Sequence, residues 1–159
     1  TFVGTSTNAQ SLNISGNVFY NPSTDVLNAT ATAAFYADIA ERYEADFQYW
    51  YGTVLEVGGE KEVTLCKQRA STKVAGIVSK NPAYMMNADA GSDLTHPYIA
   101  LKGRVLCKVV GDVKKGDLLV SSATPGHAEK YLETDNPLAV IGKALANSNG
   151  FDDIIEVMV

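Results

Sequence analysis

The chain has 159 residues, a net charge of −5 and 46% apolar residues, enough for one domain with its own core or one domain plus an appendage. The acidic balance argues against non-specific nucleic-acid binding and against adhesion to anionic membranes, since both need a basic surface. No apolar run approaches the roughly 20 residues that span a bilayer, so no membrane span is expected.

The start, Thr1-Phe2-Val3-Gly4, has neither a basic nor an apolar leader region. It reads as the beginning of a piece of a longer protein. Residues 1–36 then read as an extended, repetitive segment. Ser11 to Tyr20 alternates polar and apolar residues, which is strand periodicity. Asn21-Pro22-Ser23-Thr24-Asp25 is a turn, and Val26 to Tyr36 is rich in small residues. Such a segment has too few large apolar residues to bury a core alone, yet Ile14, Val18, Phe19, Leu27, Phe35 and Tyr36 are too apolar for a free linker. A shaft whose core forms when several copies wind together satisfies both constraints.

The next stretch, Ala37 to Asp46, is the most acidic window. Four carboxylates, Asp38, Glu41, Glu44 and Asp46, fall within nine residues. Ala37 to Ala45 has moderate helical propensity, and Asp38 with Glu41 three positions later has capping-box spacing. A solvated acidic helix turn or a boundary linker is the plain reading. The sharper reading is a reactive carboxylate pair, Asp38 and Glu41, at a junction. Phe47-Gln48-Tyr49-Trp50-Tyr51 follows, and its aromatics suit a core, an inter-subunit contact or a sugar-stacking surface.

From Gly52 onward short strands alternate with turns. Thr53–Val57 and Glu62–Cys66 flank Gly58-Gly59 as a hairpin. Lys73–Ser79 is a strand stopped by Asn81-Pro82, and residues 83–97 are expected as a loop. Tyr98–Gly111 is a strand pair or one bent strand. Lys114-Lys115-Gly116-Asp117 is a turn feeding a strand, and Ala139–Leu145 and Ile154–Val159 complete the set. Many short strands at this spacing predict a mainly β fold, a compact barrel or sandwich over residues 37–159 behind the shaft-like segment 1–36.

Cys66 and Cys107 make no disulfide framework, and although they could pair, both suit buried thiols in apolar strands. With His96 and His127 they offer zinc-ligand types without zinc-ligand spacing, so neither metal nor cofactor is expected. No nucleophile triad, phosphate loop or dinucleotide fingerprint is present. The sequons at Asn13 and Asn28 are short enough to arise by chance.

One resemblance draws these parts together. It is carried by Tyr36 to Asp46, Gly52-Thr53-Val54-Leu55, Gly58 to Thr64, Val74-Ala75-Gly76-Ile77-Val78-Ser79-Lys80-Asn81-Pro82-Ala83-Tyr84, and the run from Gly103-Arg104-Val105 to Gly116-Asp117. Their order and spacing over about residues 36–146 resemble the C-terminal self-cleaving intramolecular chaperone domain of bacteriophage neck-appendage proteins, and its relatives in tail fibres and tail spikes. The resemblance implies a virion protein, made in the host bacterial cytoplasm, whose domain forms a homotrimer and sets the register of the fibre shaft. It also implies autoproteolysis at a bond before an Asp, within a Ser-Asp-x-Ala-Glu pattern. The matching residues here are Ala37, Asp38, Ala40 and Glu41, with Ala37 where the pattern has serine. The scissile bond would be Ala37–Asp38 and the catalytic carboxylates Asp38 and Glu41. The structural role is favoured over proteolysis. A tip that attaches to a host surface receptor, a glycan stacked on Tyr49, Trp50 and Tyr51, is the remaining reading.

Overall fold

The computed structural model describes residues 38–150 and 152–159, together with two short strands, β1 (Phe19–Asn21) and β2 (Val26–Asn28). The chain divides into two units, Thr1–Ala34 and Phe35–Val159. In the first unit β1 and β2 pair antiparallel, with Tyr20 opposite Leu27. The rest of the shaft-like segment expected over residues 1–36 lies outside the described residues, as does Ala37.

The second unit is mainly β, as the turn spacing predicts. Its strands are β3 (Asp38–Arg42), β4 (Val54–Val57), β5 (Val63–Leu65), β6 (Val74–Val78), β7 (Tyr84–Met86), β8 (Tyr98–Val109), β9 (Leu118–Ser121), β10 (Ala128–Lys130), β11 (Val140–Ala144) and β12 (Asp153–Met158). Five of them close a barrel: β8 pairs β12, β12 pairs β11, β11 pairs β9, β9 pairs β10, and β10 returns to β8 through Ala128 opposite Val109. Strand alternation fills the interior. Val105, Cys107 and Val109 of β8 point inward, as do Ile155 and Val157 of β12, with Leu119, Ala128 and Ala144 from the other strands.

A second sheet grows from the first half of β8, which pairs β3 on one side and β6 on the other, while β6 continues to β4 and β5. This sheet is buried on both faces. Val54, Ile77 and Ala100 join the barrel core, while their neighbours Leu55, Val78 and Ile99 join a separate cluster with Val63 and Ala45. That double burial explains why these strands read as continuous apolar pairs instead of clean alternation.

β8 is one bent strand. Ile39 pairs with Lys102 and Ala40 with Ala100, so Leu101 is an extra residue on β8, and Gly103 takes a φ of 123° two residues on. The bend lets one strand serve both sheets.

Two expectations are corrected. Ala37 to Ala45 has helical propensity, yet residues 38–42 form β3, which pairs antiparallel with β8 and parallel with β7. Two ladders and the complete burial of Ala40 outweigh a weak local preference. The loop expected over 83–97 contains β7, and β10 was not foreseen; both are three-residue strands with too little sequence to show a period.

Candidate functional site

The junction residue Asp38 opens β3. Its carbonyl accepts a hydrogen bond from the Ala83 amide at 2.7 Å, and its Cα lies opposite Gly103. The residue is 5% exposed, and its Oδ2 has no hydrogen-bond partner. Burial pushes the carboxyl pKa above the usual range. The Ser79 side chain and Asp38's own backbone N–H, both donating to the carboxylate, pull against that shift. Ser79 follows β6 and is itself fixed, because its amide donates to the Tyr98 carbonyl at 2.8 Å. Asp38 and Ser79 line a cleft of about 140 Å³ with Lys80, Asn81, Arg104 and Leu106.

Glu41 is not part of that cleft. Residues three apart on a strand point to opposite faces, so the pattern that would pair Asp38 with Glu41 on a helix separates them on β3. The Glu41 carboxylate instead accepts from the Tyr43 hydroxyl at 2.9 Å. The other two acids of the window are fastening points. Glu44 binds Lys61 at 2.8 Å, and that hydrogen bond holds its carboxyl below the usual range. Asp46 accepts from the Thr64 and Tyr49 hydroxyls. Burial pushes its carboxyl up, but those hydroxyls and two backbone amides outweigh it and leave it lowered. The chain here runs beside β5, with Ala45 bridged to Val63.

The three aromatics expected to bind do different things. Tyr49 is a brace: its hydroxyl donates to Asp46 and accepts from the Leu65 amide at 3.2 Å. Tyr51 carries the Lys80 ammonium 4.9 Å from its ring centre. Trp50 is 69% exposed, and Phe47 is 72% exposed beside them. Tyr49, Trp50 and Tyr51 line a cleft of about 180 Å³ that shares Lys80, Asp93 and Tyr98 with a second of about 370 Å³ holding Arg42 and Met85. Arg42 stacks over Tyr98 at 4.0 Å and pairs with Asp93 at 2.8 Å.

Sequence reasoning missed Ser79, Lys80, Arg42 and Tyr98. The signal for the first two was present, a polar Ser-Lys-Asn stop at the end of an apolar strand, but nothing local says which element it meets. The residues weighed as zinc ligands stand apart in separate bonds. His127 sits between the Pro125 carbonyl and the Asp152 carboxylate, each at 2.8 Å, His96 contacts Thr95, and Cys66 lies against Glu56. Among the described residues no three His, Cys, Asp or Glu side chains converge. Cys66 and Cys107 are both free and buried.

No protein-family model matches the chain, and no curated protein matches it.

Proposed function

We propose that this chain is the C-terminal part of a bacteriophage tail fibre or spike, a homotrimeric virion component whose β-rich domain brings three chains together and lets the shaft fold. One observation carries the reading. The second unit leaves large apolar side chains uncovered on neighbouring ground: Trp50 and Met85 edge clefts that share Lys80, Asp93 and Tyr98, with Phe47 and Leu94 exposed close by in sequence. Clustered exposure of this kind suits a surface that another copy covers. The resemblance to intramolecular chaperone domains supports the same assignment. Light scattering with intact-mass analysis tests it. The expected particle has three times the 17.0 kDa chain mass. A clean monomer at micromolar concentration refutes the proposal.

A second reading is favoured by Asp38 alone: the chain cleaves itself at Ala37–Asp38. A buried carboxyl with one unpartnered oxygen, attached to the residue that supplies the leaving nitrogen, is suited to general-acid work. A break before Asp38 that accumulates with time, and is lost in Asp38→Asn, is the expected result. A wild-type chain that stays whole after prolonged incubation removes this reading.

A further inference from the structure

We propose that the two joined clefts around Lys80 bind a carboxylate-bearing sugar, a uronic or sialic acid unit of an oligosaccharide. Lys80 is the partner of the carboxylate and Trp50 the surface on which the sugar ring stacks. The inference goes beyond the trimer reading; it shares Trp50 with the surface proposed for contact between copies and is tested independently of it. Three observations carry it. The first is shape. The clefts of about 180 and 370 Å³ have Lys80, Asp93 and Tyr98 in common, so they are two lobes that meet at these residues. Together they fall within the roughly 300–1,000 Å³ of small-molecule sites. The second is charge. Lys61, Lys114 and Lys130 each pair with a carboxylate. Lys80 has no such partner among the described residues, and its ammonium stands 4.9 Å from the Tyr51 ring centre. Arg42 is not the open cation. One of its terminal nitrogens donates to the His96 carbonyl and the other to Asp93, and its guanidinium covers Tyr98. The third is that the groups are held in place. The Ser79 amide donates to the Tyr98 carbonyl at 2.8 Å and the Ala83 amide to the Asp38 carbonyl at 2.7 Å, which ties the segment carrying Lys80 on both sides. The Gly52 amide donates to the Val78 carbonyl at 2.8 Å and fixes the turn that carries Trp50. Groups already in position spare a ligand the cost of ordering them.

The same residues select the ligand class. Trp50 is 69% exposed, and an open indole beside polar groups suits the apolar face of a sugar ring. The Gln48 and Asn81 amides, one in each lobe, are placed to meet its hydroxyls. One unpaired ammonium matches one carboxylate. Polyphosphates and nucleic acids call for several cations, and a chain of net charge −5 repels them.

Trp50 is the single tryptophan of the sequence, so its fluorescence reports on the cleft. The full chain is titrated with trigalacturonate, a hyaluronan tetrasaccharide and sialyllactose, each also as its methyl ester, with light scattering on the same samples. At least one acid probe should shift the Trp50 emission saturably and bind roughly tenfold tighter than its own ester. Lys80→Gln should remove that preference: the acid form weakens roughly tenfold, the scale of one hydrogen bond to a charged group, and the ester is unchanged. Lys143→Gln, at an exposed lysine of the barrel strand β11, controls for general charge and should bind like wild type. The proposal is overturned by no saturable shift with any probe at millimolar concentration, or by equal binding of acid and ester. A preference that survives Lys80→Gln, or an equal loss in Lys143→Gln, overturns it too. Light scattering judges the trimer reading separately. A monomer that binds the acid probe refutes only the trimer, and a trimer that binds none refutes only the sugar site.

Discussion

The barrel and the second sheet are fastened together at Gly126, and replacing it with alanine tests that joint. The Gly126 amide donates to the Cys66 carbonyl at 2.8 Å, and its carbonyl accepts from Val54 at 2.8 Å. The turn between β9 and β10 is thereby hooked into the β4–β5 hairpin. The residue has a φ of 73°, and a Cβ built there would stand 2.8 Å from Thr53 Cγ2 and 2.9 Å from Leu65 Cδ1. The left-handed backbone costs a side chain about 1–2 kcal/mol. Both clashing atoms are side-chain ends, and Leu65 is only half-buried, so overpacking adds about 1 kcal/mol, the low end of its range. Gly116→Ala is the matched control, because Gly116 has a φ of 95° with nothing within 4 Å of its Cβ position. It should show only the backbone cost. Against a typical domain stability of about 5–15 kcal/mol, a Gly126→Ala loss of about 2–3 kcal/mol is a large and readable fraction. Urea titration at one fixed protein concentration, followed by far-UV circular dichroism, measures both variants, and the midpoint should move with an unchanged slope. Equal losses in the two variants would mean that the close approach at Gly126 contributes nothing and that the hook is loose.

Asp38→Asn should stabilise the chain by about 1 kcal/mol at pH values where the wild-type carboxyl is charged, since burial opposes that charge and the amide carries none. The folded carboxyl is raised above its unfolded value, so its contribution is fully present in acid and is lost as pH rises through the folded pKa. The advantage of Asp38→Asn should therefore vanish in a melting-temperature series taken to acid pH; an advantage that persists there contradicts the burial argument. Neither cysteine should react with a thiol dye in the native state. Cys107, which burial pushes up to about 12, should stay protected until the barrel unfolds, and fast labelling of Cys107 in native protein is the contrary result. The double change Phe47→Ser and Trp50→Ser should leave circular dichroism and monomer folding intact while breaking the proposed trimer in light scattering, because both side chains are largely exposed in the single chain. An unaffected trimer would place the interface elsewhere.

The strand content was legible because short apolar runs punctuated by turn residues are a local property. Which residues of β8 and β12 face inward, Val105, Cys107, Val109, Ile155 and Val157, was settled by the fold, since Leu106, Ile154 and Met158 beside them are equally apolar. The Lys-Gly-Asp turn was legible for the same reason, and it closes as expected with the Asp117 amide on Lys114 O at 2.9 Å and Gly116 at positive φ. The hairpin about Gly58-Gly59 likewise joins β4 to β5. Where sequence reading went astray, a local rule met a non-local partner. Ala37 to Ala45 carries a helical preference, and only pairing with β7 and β8, both distant in the chain, makes residues 38–42 a strand.

The candidate site follows the same division. The sequence by itself determined that an acidic junction precedes a run of short strands, that Asp38 stands at its start and that aromatics follow it. Only the tertiary structure decided that Glu41 faces away, that Ser79 stands against Asp38, and that Trp50 stays exposed while Tyr49 is locked to Asp46 and Leu65. The physical reason is geometric. Side-chain identity and spacing fix which face of an element a residue can occupy, but the choice between helix and strand changes that face. The choice was made here by hydrogen-bond ladders and apolar burial between segments that no local window of sequence contains.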